Sequence, residues 1–175
     1  MTKSVELRRH TDNDGDQLSD DGVAAAVEVG RTIVGDFDIV VSSGAQRATQ
    51  TAACFISGMD GKVRGGVVVD SRFRSEFEDE WKEAYERAGA GDLESFRRVA
   101  PELVASESKL MGGALGDLLD RLPEGGRALV VGHSPMQEAA AYGLTGEIVE
   151  PLSKGAGVRV AADDDGNLRV EALGG

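Results

Sequence analysis

Short apolar, β-branched runs recur at Ser4–Arg9, Asp38–Ser42, Gly66–Asp70 and Arg127–Val131, most of them separated by stretches long enough for a helix. Strand signals that alternate with helical ones predict crossover units and a largely parallel sheet. Ser19 has the character of a helix cap, with Asp20 and Asp21 in the first turn, and this helix is expected to run through Ala24, Val27, Ile33 and Val34. A second helix is expected over Ala45–Ser57. The third crossover, Ser71–Gly126, is much longer. It holds a very polar helical stretch at Glu76–Arg87, a glycine-containing break at Ala88–Gly91 and further helix to Leu122, so residues 71–122 are expected to form a helical insertion or lid. Trp81 and Tyr85, spaced i,i+4, would pack that insertion onto the body. Near the end, Gly157–Ala162 and Asn167–Leu173 flank Asp163-Asp164-Asp165-Gly166, the pattern of a β-hairpin.

Composition narrows the classes. A chain of 175 residues fits a single domain, 1–175, and buries roughly two thirds of its unfolded surface. The 31 acidic residues against 19 basic ones give a net charge of -12, which offers no general attraction for nucleic acid or an anionic membrane. An anionic ligand would need a local basic cluster. Cys54 is alone and reads as a small helical core residue; two histidines and one cysteine are too few for an ordinary Cys/His zinc site, so no metal is expected. Met1–Arg9 lacks the pattern of a leader, and no apolar run approaches the roughly 20 residues that span a bilayer, so a cytoplasmic protein is expected.

Three motifs sit at equivalent ends of strands: Arg9-His10-Thr11, then Ser42-Ser43-Gly44-Ala45-Gln46-Arg47-Ala48-Thr49-Gln50-Thr51-Ala52, then Gly132-His133-Ser134-Pro135. Ligands of open α/β sheets bind beyond the carboxyl ends of the strands, where helix N-termini also present free N–H groups. Arg9, His10, Arg47 and His133 would converge there into a pocket for a tetrahedral dianion, with phosphate the natural guest. Crowding two imidazoles beside two permanent cations disfavours further positive charge, which would keep a histidine neutral and nucleophilic, a role assigned to His10. A serine hydrolase elbow at Ser134 fails because Met136 replaces the last glycine and no histidine follows position 133. The Gly112-Gly113-Ala114-Leu115-Gly116 run lies in a helical region rather than after a strand, so it does not signal dinucleotide binding.

These motifs, with Leu18-Ser19-Asp20-Asp21-Gly22, resemble the histidine phosphatase superfamily, which includes cofactor-dependent phosphoglycerate mutases and small bacterial phosphohistidine phosphatases. The resemblance implies an α/β/α three-layer sandwich with a mostly parallel sheet. It implies that His10 attacks phosphorus, that Arg9 and Arg47 hold non-bridging oxygens and that His133 donates to the pentavalent transition state, with neither metal nor cofactor. Thr11 stands where the family has glycine, and its hydroxyl is expected to donate to the phosphate; Gly44 stands where the family has proline. The mutase-like branch carries an acid in a pattern like Arg-Leu-x-Glu. Here the segment reads Arg72-Phe73-Arg74-Ser75-Glu76, one residue displaced, so Glu76 is the leading candidate for the general acid and Glu78 the reserve.

Arg72 and Arg74 read as surface partners of nearby carboxylates, and the acidic Asp12–Asp16 loop argues against a second strongly anionic group on the substrate. The expected activity is hydrolysis of a phosphorylated small molecule or a phosphohistidine protein. Mutase-type transfer and a non-catalytic phosphate-binding module are the alternatives.

Overall fold

The computed structural model describes residues 1–175, which form eight strands and six α-helices. The strands are β1 (Lys3–Arg9), β2 (Asn13–Asp14), β3 (Gln17–Leu18), β4 (Ile39–Ser42), β5 (Val67–Val69), β6 (Arg127–Gly132), β7 (Gly157–Ala162) and β8 (Leu168–Leu173). The helices are α1 (Asp20–Thr32), α2 (Gln46–Gly58), α3 (Glu78–Ala88), α4 (Leu93–Val99), α5 (Pro101–Arg121) and α6 (Met136–Thr145). Six strands make one sheet in the order β5-β4-β6-β1-β7-β8, while β2 and β3 pair as a separate small hairpin in the acidic loop. The first four strands of that order run parallel, and β7 and β8 are antiparallel additions at the end.

Alternation along the strands sorts side chains into two cores. Val5, Leu7, Val41, Ala128 and Val130 face the larger one with α5 and α6, whereas Val40, Leu129 and Val131 face the smaller one with α1 and α2. These two faces of helices give the three layers expected. The opposite face of β1 carries Glu6, buried and shared by Arg127 at 3.1 Å, Arg159 at 3.0 Å and Arg8 at 3.4 Å.

Helix ends follow local chemistry. Ser19 Oγ accepts from the Gly22 N–H at 3.0 Å and caps α1. The helix stops at Thr32, two residues before the expected end: Ile33 is extended and drops into the core, and Val34 is exposed beside the left-handed Gly35. Helix α3 begins at Glu78 rather than Glu76, because Ser75 is drawn inward to the buried Glu107 carboxylate and its Oγ accepts from the Phe77 N–H at 2.9 Å.

The 71–122 stretch divides in two. Helix α5 packs along α6 with Leu103, Met111, Leu115 and Leu118 in the larger core, and the shorter α3 and α4 pack on each other and add Trp81, Ala84, Leu93 and Phe96 to that same core. The α5–α6 contact is close enough to require glycine, since a Cβ on Gly143 would lie 1.8 Å from the Ser108 carbonyl oxygen. Cys54 packs, partly buried, on the smaller core. No helix is long and apolar enough to cross a membrane.

Candidate active site

The carboxyl ends of three neighbouring strands are level: Arg9 pairs with Gly132, and Ser42 with Val131. Backbone bonds then fix the residues one step beyond each strand. The His10 N–H donates to the Gly132 carbonyl at 2.9 Å and the Ser43 N–H to that of Val131 at 3.1 Å. His10 and His133 are thereby brought together, with ring centroids 5.3 Å apart and planes at 65°.

The hydrogen bonds assign tautomers. His10 Nδ1 lies 2.8 Å from the Thr11 carbonyl oxygen, which only accepts, so Nδ1 carries the hydrogen and Nε2 carries a lone pair. His133 Nδ1 faces Arg47 Nη2 at 3.3 Å, and its Nε2 meets Ser43 Oγ at 2.8 Å. A guanidinium only donates, so Nδ1 accepts and Nε2–H donates to Ser43.

Both rings are held neutral. Burial is the main cause for each; it brings His10 down to about 4, with Arg47 and Arg9 adding repulsion, and His133 down to about 3, with Arg47 next in weight. The cations expected to dominate are the lesser influence, because the rings are 7% and 5% exposed and lose their hydration first.

The two arginines are anchored differently. Arg9 Nη1 donates to the Leu152 carbonyl at 2.9 Å, while its buried Nε has no partner. Arg47, in the first turn of α2, contacts Asp16 at 2.7 Å and approaches Glu78 to 4.0 Å. Arg9, His10, Arg47 and His133 line one cavity of about 520 Å³.

Its outer wall comes from α3, whose Glu78, Trp81, Lys82 and Tyr85 follow the i, i+3, i+4, i+7 spacing of one helix face. Trp81 is fixed by a T-shaped contact with Phe96 at 5.3 Å and by an Nε1–H bond to Glu107 at 3.2 Å. Tyr85, expected to pack inward with it, is half-exposed at the mouth. Met136, Pro151 and Leu152 complete the apolar side.

Glu76 lies outside this cavity and Glu78 lines it; anchoring of Ser75 on Glu107 turns position 76 outward and brings position 78 onto the inner face of α3. Arg74 binds Glu78 at 3.1 Å, and Arg72 binds Asp70 at 2.8 Å and Asp117 at 2.7 Å. Thr11 is also outside the lining. Its Oγ1 donates to the Gly22 carbonyl at 2.7 Å, and the chain passes so near that a Cβ on Gly22 would sit 1.9 Å from the Asp12 carbonyl oxygen.

Sequence reasoning missed Ser43 as a partner of His133, and it missed the 151–152 segment. The α3 spacing was readable as a helix face, but nothing local marked that face as a pocket wall. No group of three or more His, Cys, Asp or Glu side chains is placed to hold a metal ion.

The family described as histidine phosphatase superfamily (branch 1) has a model that matches residues 2–154. No curated protein matches the chain. Similar solved structures include phosphoserine phosphatase from Entamoeba histolytica in complex with 3-phosphoglyceric acid, 19% identical with TM-score 0.70, covering 99% of this chain and 98% of that one. Phosphoglycerate mutase from Bacillus anthracis is 15% identical with TM-score 0.67, covering 98% and 92% of the two chains. The protein histidine phosphatase SixA complexed with tungstate is 18% identical with TM-score 0.60, covering 97% and 96%. At these identities the likeness is one of fold.

Proposed function

The chain belongs to the histidine phosphatase superfamily, and from that premise we propose that it is a phosphatase that hydrolyses a small phosphomonoester through a covalent phosphohistidine on His10. The observation that carries this reading is the His10 Nδ1–H bond to the Thr11 carbonyl, which leaves a neutral Nε2 lone pair in a pocket with two guanidinium groups. Arg9 and Arg47 bind the phosphoryl oxygens and His133 donates to the equatorial oxygens as charge builds on them. To do so, His133 takes up a solvent proton on Nδ1 when the incoming dianion draws Arg47 away from it and offsets the new positive charge.

His10 Nε2 forms the bond to phosphorus as the ester oxygen leaves, and Glu78 gives that oxygen its proton. Water then attacks phosphorus, the P–N bond breaks, and Glu78 recovers a proton from the water. The presence of Glu78 in the cavity favours an ester over a phosphoramidate, whose leaving group has less need of an acid. Hydrolysis is favoured over transfer to a second anionic acceptor because the loop beside the pocket is acidic: its Asp12 binds Lys154 at 2.6 Å and its Asp16 binds Arg47, which leaves Lys82 of α3 as the outer-wall cation without a carboxylate partner.

Quenched-flow labelling with a phosphomonoester tests this. His10→Ala is expected to lose both turnover and the acid-labile phosphoenzyme; full activity in that variant would overturn the reading.

A further inference from the structure

Behind the pocket lies a carboxyl group that the proposed reaction does not use. Glu138, in the first turn of α6, is 1% exposed, and its Oε1 has no hydrogen-bond partner. Its Oε2 accepts from Ser134 Oγ, and Ser134 lines the cavity with Arg9, His10 and His133. Among charged groups on the elements packed around α6, Arg9 of β1 acts on this carboxyl, whereas the buried Glu107 of α5 is occupied by Ser75 and Trp81. Arg9 has its own orphan, the buried Nε.

A serine hydroxyl has one hydrogen. While Glu138 is ionised, that hydrogen is committed to the carboxylate and Ser134 shows the cavity only lone pairs, which repel a phosphate oxygen. A dianion arriving nearby raises the cost of the buried carboxylate further. Once protonated, the carboxyl gives its own hydrogen to Ser134 Oγ and the serine hydrogen turns to the anion.

We propose that Glu138 and Ser134 form a switchable donor at the pocket, in which entry of a tetrahedral dianion is coupled to uptake of one solvent proton by Glu138. The balance is simple: Ser134 O–H···carboxylate plus H⁺ becomes carboxyl O–H···Ser134 O–H···anion, with no covalent bond to phosphorus changed. Burial already lifts Glu138 to about 7, so the switch operates near neutrality. Glu138 is a positioning residue that acts through Ser134, and the proposal rests on the phosphate-pocket reading above.

Sulfate is the probe, since its charge is constant between pH 6 and 8.5. Titration calorimetry in buffers of different ionisation enthalpy reads proton uptake, and affinity is followed against pH. Wild type is expected to take up about one proton more than Glu138→Gln at pH 8 and to lose up to about tenfold in affinity per pH unit above neutrality by that linkage. The Gln amide donates to Ser134 at every pH, so Glu138→Gln is expected to bind sulfate several-fold more tightly than wild type at pH 8.5. That gain should vanish in a Ser134→Ala background. A merely structural glutamate would give a loss instead.

Equal proton uptake in wild type and Glu138→Gln, or a gain that survives Ser134→Ala, overturns the switch while leaving the pocket intact. Failure of wild type to bind sulfate at any pH removes the anion pocket and the switch together.

Discussion

Asp16 reaches across the pocket mouth to Arg47, Oδ1 to Nη1 at 2.7 Å, and its Oδ2 accepts from the Gln46 N–H at 3.3 Å. A loop carboxylate therefore occupies the guanidinium that the proposed reaction assigns to the phosphate. Asp16→Asn keeps a capping oxygen for α2 but removes the competing charge. It is expected to lower KM and the inhibition constant of phosphate by about two- to fivefold, with stability changed by less than about 1 kcal/mol because the carboxylate is half-exposed. Unchanged phosphate inhibition would show that Asp16 does not compete.

Glu78 lines the cavity from the first turn of α3, whereas Glu76, two residues earlier and ahead of the helix, does not. On an alkyl phosphate, Glu78→Gln is expected to lower kcat by about 10²-fold or more, while Glu76→Gln stays close to wild type. On an aryl phosphate, whose phenolate leaves with less help, the Glu78→Gln loss should shrink. Equal losses for both substitutions would return the acid role to neither residue.

The buried His133 gives a signed dependence on pH. Its folded pKa, about 3, lies below the unfolded 6.5, so the folded state refuses a proton that the unfolded chain accepts. Stability is fully present above pH 6.5 and lost as pH falls toward 3. His133→Gln should therefore improve relative to wild type by on the order of 1–2 kcal/mol between pH 7.5 and pH 5. Urea midpoints at the two pH values check this; a gap that does not move with pH would refute it. Glu138 has the opposite sign, since its raised pKa contributes stability below pH 4.5 that is lost toward 7.

Gly143 is held against the Ser108 carbonyl. Gly143→Ala forces α6 away from α5 and is expected to cost about 1–3 kcal/mol by overpacking, despite alanine's better helix propensity. A more stable variant by thermal denaturation would contradict the close contact.

The sequence makes the strand ends readable because parallel crossovers deliver them all to one edge, and the three motifs need only that edge to converge. His10, His133, Arg9 and Arg47 meet for this reason. Glu76 and Thr11 were assigned by position within a pattern, and side-chain commitments decided otherwise: Ser75 is pulled to Glu107, and the Thr11 hydroxyl is bound to Gly22. Neither Glu107 nor Gly22 is adjacent in sequence to the residue it redirects. The role of Leu152 was hidden for the same reason, since its carbonyl reaches Arg9 across 143 positions of chain.

The antiparallel direction of β7 beside β1 has a consequence for how the pocket is assembled. A parallel strand would send only its outgoing connection to this edge, committed to a helix. Because β7 runs the other way, its incoming segment arrives there, with Leu152 against Arg9 and the Gly155 N–H on the Arg9 carbonyl. One side of the cavity is thus lined by a connector that no helix restrains, so its exposed positions, Glu147, Ile148, Glu150 and Pro151, are where substitutions reshape the entrance at the least cost to the core, while Leu152, buried in the larger core, pins the connector to Arg9.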